Sequence, residues 1–256
     1  MTSYIISGFL VGLLVGLTGV GGGSLMTPLL TLVFGINPSV AVGTDLAFAA
    51  ITKSAGTFTH RLRKTVHWDI VKLLCLGAIP AAILSAISLK MFGSISKDLG
   101  QIIRYSIAGA ICLTIISLVF KGKMLAWINA HPEKQLRGLQ LKLATVLSGF
   151  ILGVLVTVSS IGAGAIGATI IVMLYPHLKS AEVAGTDIAY AVPLTAIAAI
   201  GHWWLGSLNW ILLGSLLIGS LPGITLGSWA ARCVPERILR GLLALTLAAV
   251  AIKLVQ

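Results

Sequence analysis

Two matching triplets, Gly43-Thr44-Asp45 and Gly185-Thr186-Asp187, each set a carboxylate about six residues into a hydrophobic run. Ionisable side chains inside long apolar segments are costly to bury and usually mark a site. Out of water a carboxylate resists ionisation, so proton-linked chemistry is open to both acids. A structural use is equally open, because an acid in the first turns of a helix can accept backbone donors and favour the dipole. Lys53 follows Asp45 by eight residues, about 12 Å along the same side of a regular helix. It suits a countercharge for an anionic substrate, a partner for Asp45, or a side chain snorkelling toward Arg61.

The second source of chemistry is uncharged backbone. Thr18-Gly19-Val20-Gly21-Gly22-Gly23-Ser24 interrupts a run that carries no charged side chain from Met1 to Thr44. Glycine gives up the most backbone freedom in a helix, so this cluster predicts a helix that stops and restarts. A weaker copy follows as Thr157-Val158-Ser159-Ser160-Ile161-Gly162-Ala163-Gly164. Half-helices starting after Ser24 and near Ala165 would aim free N–H groups and positive dipole ends at the membrane interior. Gly21, Gly22, Gly23 and Ser24, with Gly162 and Gly164, are then the expected backbone donors, and Thr18, Ser159 and Ser160 the expected hydroxyls. Small residues also let transmembrane backbones pack closely, which is the competing use. Two broken segments in corresponding positions favour the substrate site.

Composition sets the class. The chain of 256 residues is 57% hydrophobic and 10% charged, with a mean hydropathy of +1.03, whereas soluble domains run near a quarter charged. Apolar runs of about 20 residues recur throughout, as in a polytopic helical membrane protein in contact with lipid. The net charge of +11 sits in short loops rather than in a basic stripe with interleaved aromatics, so nucleic acid is not an expected partner. Cys75, Cys112 and Cys233 stand singly and read as small buried hydrophobes. With no histidine cluster, HExxH or GxSxG, the sequence leads us to expect no catalytic group, metal or cofactor. No basic n-region precedes the first run, which reads as a retained helix.

The elements that must hold these groups are apolar segments at 4–18, 25–35, 40–59, 68–90, 102–120, 139–157, 166–176, 181–203, 209–230 and 237–255. Eight are long enough to span or nearly so; 25–35 and 166–176 are about half that length. The chain repeats itself. Gly8-Phe9-Leu10-Val11-Gly12 matches Gly149-Phe150-Ile151-Leu152-Gly153, the two triplets match, and His60, Trp68, Gly77 and Pro80 match His202, Trp210, Gly219 and Pro222. His60 and His202 suit packing near helix ends, while Trp68, Trp203, Trp204 and Trp210 suit an aromatic belt. Pro80 and Pro222 are matched candidate kinks.

Matching loops differ in charge: Arg61, Arg63 and Lys64 against an uncharged 203–207, and Lys97 and Asp98 against Arg232, Arg237 and Arg240. That pattern favours inverted repeats. If each broken segment enters and returns, only Lys90, Lys97, Arg104 and Lys253 fall on the side opposite the other loop cations. The positive-inside rule then makes the central loop cytoplasmic and both termini external. The expected fold is an all-α polytopic membrane protein of two duplicated halves. Residues 1–122 form the first repeat, 123–138 a central basic loop and 139–256 the second repeat, each half having about four long helices and a half-helix.

Gly8-Phe9-Leu10-Val11-Gly12, Gly19-Val20-Gly21-Gly22-Gly23-Ser24, Pro28 and Ala41-Val42-Gly43-Thr44-Asp45 together resemble the TauE/SafE family. So do Gly162-Ala163-Gly164 and Ala184-Gly185-Thr186-Asp187. The resemblance spans essentially the whole chain. It implies an inner-membrane permease of prokaryotes for sulfite, organosulfonates such as sulfoacetate, and related small sulfur-containing anions. The expected function is secondary transport of such an anion by alternating access, with proton coupling open through Asp45 and Asp187; an anion channel with the same helix ends is the alternative. Ala163, Ala165 and Thr195 stand where the first half has Gly22, Ser24 and Lys53, so a strictly symmetric site is not expected.

Overall fold

A backbone inside lipid must satisfy its own hydrogen bonds, and for chains this apolar the helix does so within each segment. The structure, a computed structural model, describes residues 2–18, 23–32, 34–95, 99–131 and 135–230. Among them the helices are α1 (Thr2–Thr18), α2 (Gly23–Leu32), α3 (Pro38–Leu62), α4 (Trp68–Ile95), α5 (Leu99–Ala130), α6 (Gly138–Ser159), α7 (Ala165–Leu174), α8 (Ser180–Trp204) and α9 (Trp210–Ala230). The two half-length segments appear as α2 and α7, 10 residues each. The segment at 237–255 and the loop cations beyond 230 lie outside the described residues.

Among the described residues five helices, α4, α5, α6, α8 and α9, contain stretches long and apolar enough to cross a membrane. α1 is short at 17 residues. α3 has the length, but Thr44, Asp45, Thr52, Lys53, Ser54 and Thr57 make it too polar to qualify by composition. α5 continues to Ala130, so the first part of the stretch 123–138 is helical. Met124, Leu125, Trp127 and Ile128 supply apolar positions there, and Ile128 is buried.

Glycine positions decide which helices touch. A Cβ on Gly8 would stand 2.6 Å from the Leu216 carbonyl oxygen, and one on Gly12 2.5 Å from that of Ser220. On α6, Gly149 and Gly153 meet the carbonyls of Leu74 and Ala78 in the same way. Gly149 and Gly153 are the repeat partners of Gly8 and Gly12, and Leu216 and Ser220 those of Leu74 and Ala78. Thus α1 packs on α9 while α6 packs on α4, each pair drawn from both halves. The reverse faces obey the same rule, Gly219 against Ile5 and Phe9, Gly77 against Val146 and Phe150. Overpacking such an interface costs about 1–3 kcal/mol. Gly77→Leu is therefore expected to lower the Tm in detergent by several degrees, whereas Gly122→Leu, with nothing within 4 Å of its Cβ position, leaves it unchanged.

α3 and α8, which correspond to each other, pack side by side and antiparallel. The start of α3 meets the turn after α8: Gly43 lies against the Ser207 carbonyl, and Thr44 Oγ1 accepts the Asn209 N–H at 3.2 Å. The start of α8 meets the turn after α3, where Gly185 lies against the Thr65 carbonyl and Thr186 Oγ1 accepts the His67 N–H at 3.1 Å. Gly-Thr in each triplet is thus a docking step for the other half's turn. The glycine removes the side chain that would clash, and the threonine caps a helix start.

Candidate functional site

The second break has a definite local cause. α6 ends at Ser159, and Ser160 takes a left-handed φ of 59° while its N–H still bonds Val156 O at 2.7 Å. Ser159 Oγ turns back to donate to Leu155 O at 2.6 Å and accepts the Ile161 N–H at 3.2 Å. Gly162 and Gly164 follow at φ 121° and 152°, a conformation that a side chain would oppose. The helix then restarts at Ala165 with none of its early amides served from within. One is met by the break itself, the Gly167 N–H donating to Gly162 O at 3.0 Å, and the regular ladder begins with the Ala168 N–H on Gly164 O at 2.9 Å.

Four pieces of the chain meet here. Asp45 of α3 is fully buried, and its Oδ2 accepts hydroxyl donors from Thr27 of α2 at 2.5 Å and from Ser160 of the break at 3.0 Å. Two turns further along α3, buried Lys53 donates from Nζ to the Ala163 carbonyl at 2.5 Å. The Lys53 charge acts on both Asp187 and Asp45. Thus the break presents a hydroxyl to the acid and a carbonyl to the base of one helix. α5 closes the other side, where Ser117 Oγ donates to Thr169 Oγ1 of α7 at 2.8 Å.

Asp187 of α8 is placed differently. Its Oδ1 is buried with no hydrogen-bond partner, and the same holds for the Tyr190 hydroxyl one turn later and for Asp45 Oδ1. A Cβ on Gly167 would collide with Asp187 Oδ1 and stand 2.7 Å from the Tyr190 hydroxyl, so both groups lie over that glycine of α7. Lys121 of α5 also acts on the Asp187 charge. Neither acid sits in a first-turn capping arrangement; each lies a full two turns into its helix.

Of the expected site residues, Lys53, Asp45, Ser160, Gly162 and Gly164 come together, and Ser159 serves the local turn. Gly23 opens α2. Gly21 and Gly22 lie outside the described residues, as do the side chains of Thr18 and Ser24. Sequence reasoning missed Thr27, Gly167 and Tyr190. The signal for Tyr190 was its spacing, three residues after Asp187 on one helix face, with Phe48 as its partner in the first half.

The histidines take packing roles. His202 is fully buried, and its Nε2–H donates to the Thr157 carbonyl at 2.9 Å, while His60 Nδ1 pairs with Thr65 Oγ1 at 2.8 Å. Trp68, Trp203, Trp204 and Trp210 are exposed, as a boundary belt requires. Among the described residues no three or more His, Cys, Asp or Glu gather in a metal-binding arrangement. A groove of about 500 Å³ between α4 and α6, lined by Leu76, Pro80, Leu147 and Phe150 among others, is apolar and open, and suits lipid chains rather than an ion.

The chain matches the family described as sulfite exporter TauE/SafE over residues 4–254. It is 40% identical to YjnA of Bacillus subtilis, described as a probable membrane transporter protein, over 88% of each chain. YdhB of the same organism, described likewise, is 28% identical over 93% of each. The archaeal relative MJ0441 of Methanocaldococcus jannaschii, again described as a probable membrane transporter protein, is 29% identical over 77% of this chain and 69% of its own. No solved structure matches. By that family match along nearly its whole length, the chain belongs to the TauE/SafE family, a family of membrane transporters and not of enzymes.

Proposed function

We propose that this transporter carries a small sulfur-containing anion, such as sulfite or an organosulfonate like sulfoacetate, and binds it where the second helix break meets α3. The observation that carries the reading is Lys53. A buried ammonium that rests on the Ala163 carbonyl is a cation held at the mouth of a half-helix, where an incoming anion would be its better partner. The start of α7 adds its positive dipole end, and Ser160 adds a hydroxyl. Gly21, Gly22, Gly23, Ser24 and Thr18 take the matching part in the first half.

Alternating access follows if residues 1–122 and 139–256 are inverted repeats that rock about this point. The antiparallel contact of α3 with α8 supports inversion, because helices related by a parallel repeat would run the same way. In this reading the stretch 123–138 faces the cytoplasm across a prokaryotic inner membrane, with both termini outside.

Purified protein in proteoliposomes tests the reading with labelled sulfite, sulfoacetate, thiosulfate and sulfate. We expect saturable uptake of at least one sulfur anion and its accumulation against a gradient when a pH gradient is imposed. Flux that never saturates and only runs downhill would instead identify an anion channel. No flux and no binding for any of them would end the sulfur-anion reading.

A further inference from the structure

We propose that Asp187 is the proton-carrying acid of the transport cycle, with the unpaired Tyr190 hydroxyl one turn along as its neighbour, and that Asp45 is a fixed structural acid. The proposal rests on the anion-transport reading above and divides two residues that the repeat makes equivalent.

The division comes from their partners. Asp45 is wholly enclosed, with its Oδ2 accepting two hydroxyl donors that tie α2 and the break to α3. Asp187 keeps 4% of its surface accessible, and its buried Oδ1 has no donor. Asp45 Oδ1 is bare as well, so the difference lies in the two hydroxyls that hold Asp45 Oδ2 in place. Beside Asp187 stands the Tyr190 hydroxyl, at 0% exposure and equally without a partner. Each such unsatisfied group costs about 1–3 kcal/mol. The first half has Phe48 at the tyrosine's position, so this hydroxyl belongs to Asp187 alone.

Charge then couples the acid to the substrate. The titratable groups that face Asp187 are Lys53 of α3, with Asp45 behind it, Lys121 of α5, and Tyr190 on its own helix; Cys75 of α4 lies against the Tyr190 carbonyl at 3.9 Å. α7 contributes no titratable side chain. Both acids lie within the field of the Lys53 charge, while its Nζ bonds the Ala163 carbonyl, and an arriving anion would add a further negative charge in a medium where like charges repel strongly. A proton added to Asp187 Oδ1 makes that carboxyl neutral and frees Lys53 for the anion. Its loss to the other side recharges Asp187, reclaims Lys53 and releases the substrate.

Sulfoacetate flux in proteoliposomes above about pH 6 tests this, since its sulfonate and its carboxylate are then both ionised and the profile reports the protein. In the wild type we expect accumulation driven by a pH gradient and unaffected by sodium. For Asp187→Asn we expect at least a tenfold loss of that accumulation, while exchange of labelled for unlabelled sulfoacetate at equal pH persists and becomes independent of pH. Asp187→Glu should restore the pH dependence. Tyr190→Phe, which removes only the hydroxyl, should shift the pH midpoint of wild-type-like transport. Proton-driven accumulation that survives in Asp187→Asn overturns the proposal, as does an unmoved midpoint in Tyr190→Phe or a requirement for sodium in the wild type. A wild type that moves no sulfur anion removes the transport reading and this inference with it. A wild type that moves one without any proton movement removes the inference alone.

Discussion

Lys53→Gln is expected to reduce anion transport about a hundredfold while the protein still reaches the membrane. Lys53 is buried, reaches across to the Ala163 carbonyl, and its charge acts on both Asp45 and Asp187. Truncating one partner of a buried, hydrogen-bonded charge pair costs about 2–5 kcal/mol of binding. If about 3 kcal/mol of this is lost from anion binding, affinity falls by roughly two orders of magnitude. Glutamine can still donate to the carbonyl of the break, so the fold has a replacement hydrogen bond and the site has no replacement charge. Initial uptake rates in proteoliposomes, alongside a thermal unfolding curve in detergent, separate the two effects. Near-normal uptake in Lys53→Gln would show that the anion is bound elsewhere.

The largest effect on stability is expected from the triplet glycines. Any side chain on Gly43 runs into the Ser207 carbonyl, with the His202 Cβ at 2.9 Å, and any on Gly185 meets the Thr65 carbonyl at 2.6 Å. Backbone oxygens of a capped turn cannot move aside as a flexible side chain can, and overpacking at one such contact costs about 1–3 kcal/mol. Either substitution also pulls a helix start off its threonine cap, about 1 kcal/mol more. Gly43→Val and Gly185→Val should each abolish a monodisperse peak in size-exclusion chromatography. Gly56→Ala on the same α3, whose Cβ would be 3.4 Å from Ile188 Cγ2, should elute as the wild type does.

Much of this architecture was legible in the chain. Charge starvation over long runs announced the membrane helices, and the matched glycine clusters announced the half-helices, since both signals are local and depend on backbone energetics. The roles inside the triplets were less legible. Their position left open both a proton-linked acid and one that serves its own helix start, and it gave no sign that Gly-Thr docks the opposite half. Tertiary contact between α3 and the turn after α8 decides that, and residues some 160 apart carry no local signature. Thr27 and Tyr190 were missed for a similar reason. A threonine in a short apolar helix, or a tyrosine in a long one, is ordinary until folding brings it against a buried carboxylate. The polarity of α3 has the same origin: its buried charged side chains, Asp45 and Lys53, face the site, and a hydropathy reading averages them with the apolar face.

The exchange of partners between the halves has a consequence for how the protein is made. α1 is translated well before α9, the helix that fits its glycine face and the last of the described elements. Until then that face can contact only lipid or a foreign helix, so insertion and assembly are separate events in time. α4, by contrast, meets its mate α6 after one intervening helix. The nascent chain can therefore close its middle early and its outer pair late, and the waiting interval is when an insertase or chaperone would have something to hold.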